Sequence, residues 1–226
     1  LPGVLQGAGY ALLVLSVILQ PLALMPDRHR LAVHGLQVLG WWLMGLMSFL
    51  LVLTALRDLL LGAAFLLHQP VQAWLEPSAH AVLGLASLAT LWGWWQTRGV
   101  PPVRHVEIRL PNLPAALDGF TLVQLSDVHV GSTIGRSFLQ PVVQRVNGLQ
   151  PDLIALTGDL VDGSVPHLGG TTGLFADLRA RHGVYVVNGN HEYYSGEKSW
   201  AQEYQRLGLI LLKNQHRVIE HHGARL

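Results

Sequence analysis

Charge is almost absent from the first 97 residues, and that absence limits what they can become. The chain has 226 residues, with 15 Lys+Arg and 14 Asp+Glu, yet only Asp27, Arg28, Arg30, Arg57, Asp58 and Glu76 precede residue 98. A globular domain gives roughly a quarter of its residues to charge, whereas a membrane helix needs about 20 consecutive, mostly apolar residues. Residues 3–25 carry no charge and end at Pro26. Residues 31–56 carry none, and beyond Arg57 and Asp58 the apolar run continues to residue 67. Residues 79–96 are a third, shorter stretch. Residues 1–97 are therefore predicted to form a membrane domain of about three transmembrane helices. A cleaved leader does not suit the first stretch, because no charged segment precedes it and more apolar segments follow. Trp41 and Trp42 open the second stretch and Trp92, Trp94 and Trp95 close the third, as interfacial belts do. Arg28 and Arg30 lie in the first loop, and Arg98, Arg104 and Arg109 follow the third span, against Arg57 alone in the second loop. The positive-inside rule then predicts an integral membrane protein with its C-terminal part in the cytoplasm.

Residues 98–102, containing Gly99-Val-Pro-Pro102, read as a linker, and residues 103–226 as a domain with its own core. Residues 103–110 alternate in polarity and predict an edge or antiparallel strand. Further strands are expected over 120–126, 153–157, 184–187 and 209–212, with helices over 136–149, 174–181 and 200–207. Strands alternating with helices imply βαβ units and a parallel sheet core. The formal net charge is +1 and no basic run occurs, so no nucleic-acid partner is expected. The chain has no Cys, which removes disulfides and thiolate metal sites. His105, His167, His182, His216, His221 and His222 read as surface residues.

Three of the predicted strands run into metal-ligand residue types. The first is followed by Asp127-Val-His129, the second by Gly158-Asp159-Leu-Val-Asp162, and the third by Asn188-Gly189-Asn190-His191-Glu192. Reactive groups of parallel sheets gather beyond the carboxyl ends of the strands. Carboxylate, imidazole and amide oxygen suit Mn, Fe or Zn. Gly158 and Gly189 let the backbone turn sharply beside them. Each piece alone is a commonplace turn or cap; three in order, each after a strand, are not.

These blocks resemble the calcineurin-like metallophosphoesterases, whose pattern runs D-x-H, G-D-x-x-D, G-N-H-E, a lone His and G-H-x-H. Apolar spans ahead of Gln124-Leu-Ser-Asp-Val-His129 are similar to a membrane-bound bacterial branch, some members of which cleave the pyrophosphate of UDP-diacylglucosamine. The resemblance implies a β-sandwich flanked by helices, incomplete here, and two divalent metal ions. It implies Asp127, His129, Asp159 and Asn190 as ligands, with Asp159 bridging. His191 would act at the scissile phosphate, and Asp162 and Glu192 would orient ligands. The expected function is hydrolysis of a phosphoester or pyrophosphate bond, with the lipid bilayer and a phosphorylated small molecule or lipid as partners. No G-H-x-H follows, and the chain starts without Met. Residues 1–226 are thus expected to be a piece of a longer protein and inactive on their own. The rival class is a membrane scaffold or transporter with a non-catalytic metal-binding domain. Few polar residues in the spans argue against a transport path.

Overall fold

The computed structural model describes residues 2–23 and 31–226. They form two compact units, divided between Gly99 and Val100.

In the first unit, α1 (Pro2–Ala23), α2 (Leu31–Leu66) and α3 (Gln72–Gln96) follow the three apolar stretches. α2 packs against both of the others. At about 1.5 Å per residue its 36 residues reach roughly 54 Å, well beyond the ~30 Å of a bilayer core. The helix runs unbroken through Arg57 because partners meet its guanidinium. Nε donates to Ser78 Oγ and one terminal nitrogen to the Leu75 carbonyl, both at 2.8 Å, while the other pairs with Asp58 at 2.7 Å. Trp42 of α2 packs against Trp94 of α3 at 5.2 Å between ring centroids. Arg98 lies 3.5 Å over the Trp94 ring.

Among the described residues, one stretch is long and apolar enough to cross a membrane, Gly35–Leu66. α1 holds a shorter apolar run, Gly9–Gln20. α3 is long enough, but Glu76, Pro77, His80 and its Ser, Thr and Gly residues dilute its hydropathy. Of the three expected spans, one thus coincides with a helix long and apolar enough to cross a membrane. The end of the first expected span and the loop with Arg28 and Arg30 lie outside the described residues.

In the second unit, β1 (Leu122–Leu125), β2 (Leu153–Leu156), β3 (Val184–Val186) and β4 (Ile210–Leu211) form one parallel sheet in chain order. Leu125 pairs with Leu156, Leu156 with Val186, and Val186 with Leu211. Between the strands lie α4 (Arg136–Gly148), α5 (Val165–Thr172) and α6 (Asn190–Arg206). The apolar stripe of α4, Leu139, Val142, Val143 and Val146, packs in one core with Ile154, Leu156, Val184 and Val186 of the strands. α6 adds Trp200 and Tyr204, both fully buried.

Several expectations change. Residues 103–110 form no strand, since no neighbouring strand pairs with them, and Val106 and Ile108 stay 78% and 73% exposed. The helix expected over 174–181 is replaced by α5 and a 3-10 turn, Gly173–Asp177. α5 begins at Ser164, with Pro near its first position, where the ring supplies a helical φ at no cost. α6 begins ten residues earlier than expected and absorbs a kink at Gly196 (φ 105°). The sandwich is not formed by the described residues, which contain one parallel sheet and a small hairpin. That hairpin joins β5 (Glu220–His221) to β6 (Ala224–Arg225). His222 and Gly223 turn it with positive φ at both positions, the geometry that matches strand twist. His221 is not a surface residue. It is 7% exposed and shares a 2.8 Å hydrogen bond with His182, and both rings pack on Phe120.

Candidate metal centre

The three strand ends form the candidate site, held in register past the regular sheet. Asp127 N donates to the Gly158 carbonyl, His129 N to Asp159 O at 3.0 Å and Val130 N to Leu160 O at 2.8 Å. The backbone does not run on as β-strand. Asp127, His129 and Asp159 all take left-handed φ, 55°, 51° and 52°. That conformation is costly for residues with a Cβ and concentrates at functional sites. Gly158 and Gly189 bring the second and third loops into backbone contact. A Cβ on Gly158 would lie 2.5 Å from Gly189 N, and one on Gly189 would overlap the Asp159 carboxylate.

These turns aim the side chains at one point. His129, Asp159 and His191 each present a ligand atom, all within 4.8 Å of one another, the one such group among the described residues. Asp162 Oδ1 lies 2.7 Å from Nδ1 of both His129 and His191, whose rings meet edge to face at 4.5 Å. That oxygen is hydrogen-bonded to His129 Nδ1 and in ion-pair contact with His191 Nδ1, which leaves Nε2 of each ring turned away from Asp162. Asp127 stands at the rim, its Oδ1 4.0 Å from His129 Nε2, and is the most exposed member. Burial pulls the His129 pKa down, but the Asp162 hydrogen bond and the charges of Asp162, Asp159 and Asp127 outweigh it, and the pKa is raised.

α6 braces the cluster from its first turn. His191 N donates to Asp159 Oδ1 at 3.0 Å, so the carboxylate sits where helix-end N–H groups favour negative charge. Glu192 is fully buried. It accepts from the backbone N–H groups of Asp159, Leu160 and Gly189 at 3.0, 2.8 and 2.7 Å, and from the Tyr204 hydroxyl at 3.1 Å. Trp200 Nε1 ties the Gly163 carbonyl to the same helix.

The donor set fits a divalent cation. The Asn190 side-chain amide donates to both Asp159 carboxylate oxygens, at 3.2 and 3.0 Å, which puts its amide beside the cluster. Oxygen and imidazole donors without thiolate suit Mn, Fe or Zn.

All seven residues singled out in the sequence therefore converge. His191, expected at the scissile phosphate, shares the ligand cluster with His129 and Asp159. Tyr204 and Trp200 escaped the sequence reading. Their only mark was an aromatic-rich helix, and the Gly196 kink breaks the simple periodicity linking Tyr204 to Glu192.

A parallel α/β domain with a carboxylate–imidazole cluster beyond the carboxyl ends of its strands carries that cluster where such sheets bind their ligands. Residues 120–224 match the calcineurin-like phosphoesterases, and this part of the chain belongs to that metal-dependent family of phosphoester hydrolases. A "transmembrane protein with metallophosphoesterase domain" from Danio rerio is 37% identical over 150 residues, 66% of this chain and 32% of that protein. A putative metallophosphoesterase of Caenorhabditis elegans is 27% identical over 98% of this chain and 48% of its own. A UDP-2,3-diacylglucosamine pyrophosphatase of Chlamydia muridarum is 27% identical over 51% of this chain and 36% of its own. The chain thus spans about a third to a half of the curated relatives it matches. No solved structure matches it.

Proposed function

We propose that the protein is a membrane-anchored hydrolase of phosphoester or pyrophosphate bonds that works with two divalent metal ions, on a lipid-linked or nucleotide-linked phosphate. The observation that carries this reading is the convergence of His129, Asp159 and His191 on one point, with Asp162 Oδ1 2.7 Å from Nδ1 of each imidazole. Asp127 and His129 would hold one ion, Asn190 the other, and Asp159 would serve both. Ions held there lower the pKa of water and offset charge on the phosphoryl oxygens. The chain's own residues do the rest. Asp162 fixes the His129 tautomer, so that Nε2 is free to ligate. Glu192 anchors the loop carrying Asp159. His191, with Nδ1 2.7 Å from Asp162 Oδ1, faces the reacting phosphate through Nε2 and hands a proton to the departing oxygen. Water adds across the bond: its oxygen joins phosphorus, the P–O bond to the leaving group breaks, and the leaving oxygen ends protonated.

Residues 1–97 are the membrane anchor in this reading, with α1, α2 and α3 as its three spans. Residues 98–102 join it to the domain of 103–226 on the cytoplasmic side. A catalytic domain joined to a membrane anchor suits a lipid-borne substrate. The Chlamydia muridarum relative, by its name a pyrophosphatase of a diacylated nucleotide sugar, supports that substrate class. The test uses the whole protein. Metal content by mass spectrometry and hydrolysis of a chromogenic phosphodiester are compared with those of Asp159→Asn. Two ions per chain and turnover, both lost in the variant, are expected. A metal-free wild type, or full activity of Asp159→Asn, would overturn the reading.

A further inference from the structure

Helix α6 is two pieces in one. Gly196 takes φ 105° inside it, so residues 190–195 form a turn of their own ahead of the stretch that buries Trp200 and Tyr204. In that first turn His191 and Tyr194 stand three positions apart, the spacing at which side chains on a helix meet. They do meet. The Tyr194 ring lies 5.8 Å from the His191 imidazole, centroid to centroid, tilted by 63°. Edge-to-face pairs of this kind are favoured between aromatic rings. Tyr193 goes another way and lies with Val187, Leu212 and Lys213, after β3 and β4.

The contact adds nothing to the core, since Tyr194 is 79% exposed. What it constrains is the plane of the imidazole. A histidine ring turns about its last side-chain bond with only broad preferences. The 2.7 Å approach of Nδ1 to Asp162 Oδ1 fixes one atom of the ring and leaves its plane to the neighbours. Two rings meet it, His129 at 4.5 Å and Tyr194. His129 is itself part of the ligand cluster, which leaves Tyr194 as the packing surface outside that cluster.

We propose that Tyr194 is a positioning residue for the reaction: its ring packs on His191 and holds the imidazole in the plane from which Nε2 gives its proton to the departing oxygen. The proposal rests on the role given to His191 above.

Methyl phenyl phosphate and methyl p-nitrophenyl phosphate test it in the whole, metal-loaded protein. Phenol, with a pKa of about 10 like the tyrosine side chain, needs a proton to leave, whereas p-nitrophenolate leaves readily as the anion. Tyr194→Ala should lower kcat on the phenyl ester by about threefold to tenfold, with KM and the p-nitrophenyl rate each within about twofold of wild type. Tyr194→Phe keeps the ring and should restore the wild-type rate. Tyr193→Ala should match wild type on both esters. Both tyrosines are exposed, so metal content and melting temperature should stay unchanged in all three variants. In a His191→Ala background, Tyr194→Ala should cost nothing further, because the ring it acts through is gone. Equal losses on both esters, a loss carried by KM, a loss that persists without His191, or wild-type turnover by Tyr194→Ala would overturn the positioning role and leave the role of His191 standing. If His191→Ala itself slows the two esters equally, it is the role of His191 that fails. The NMR resonance of His191 Hε1 then decides the packing. A resonance displaced in Tyr194→Ala and returned in Tyr194→Phe supports it, and an unmoved one refutes it.

Discussion

Asp162 is the residue whose importance changes most once its contacts are seen. As an orienting group for one ligand its loss would cost about 10–100-fold. Its Oδ1 instead serves His129 and His191 together. We expect Asp162→Asn to fall at about 100-fold in kcat/KM, with Asp159→Asn lower still, as measured on purified whole protein. A milder Asp159 variant would remove the bridging assignment. Tyr204 supplies the only side-chain hydroxyl among the four donors to buried Glu192. Tyr204→Phe keeps the ring that packs on Trp200 and removes that donor. A hydrogen bond to a charged group is worth about 1.5–3 kcal/mol, so urea unfolding should show a loss of that order. His129 sets a pH dependence. Its folded pKa is raised, so its protonated form stabilises the metal-free domain below the unfolded value of about 6.5, and that contribution fades as pH rises through the raised value. A protonated imidazole cannot ligate, so metal affinity should run the opposite way, falling as pH drops through the same window. Metal titrations at several pH values, with the metal-free melting temperature followed in parallel, should show the two trends crossing.

At the scale of elements, the site depends on how closely the β2 and β3 loops approach. Gly189 faces Asp159 with no room for a Cβ. Gly189→Ala must push the Asp159 loop away, and overpacking of this kind costs about 1–3 kcal/mol. Thermal melting should show that loss together with weakened metal binding, whereas Gly170→Ala, in open space, should change neither. The elements were legible to different degrees for physical reasons. β2 and β3 are short apolar runs ending in Gly-Asp and Asn-Gly-Asn, and α4 carries a clean apolar stripe. Residues 103–110 show strand alternation without a strand, because pairing is a property of two segments and alternation of one. The first three turns of α6 are polar, NHEYYSGEKS, and carry no apolar periodicity. That helix is held by the Glu192 cap and by tertiary burial of Trp200 and Tyr204.

In the reading proposed above, the whole molecule joins a domain that needs water to one that avoids it. We expect the protein to stay with the membrane fraction through alkaline extraction, and the domain of 103–226 to be released when proteolysis cuts the 98–102 tether. Orientation can be read cleanly because the chain has no Cys. A single cysteine introduced at exposed Gln215 should react with a membrane-impermeant maleimide only after the cells are opened. Labelling of intact cells would reverse the topology and put the substrate on the other side.

The order of residues was enough to settle the split into an apolar and a charged half, the parallel strands, and the identity of the seven residues at the strand ends. Such features depend on composition and on period, which are local. What tertiary structure decided was grouping: His191 edge to face with His129, Asp162 2.7 Å from a nitrogen of each ring, Glu192 buried under four donors, His221 inside rather than outside. Those outcomes depend on left-handed turns at Asp127, His129 and Asp159 and on the contact of two glycines 31 positions apart in the chain. Local spacing does not encode such contacts, because they form only when separate loops meet over a common core.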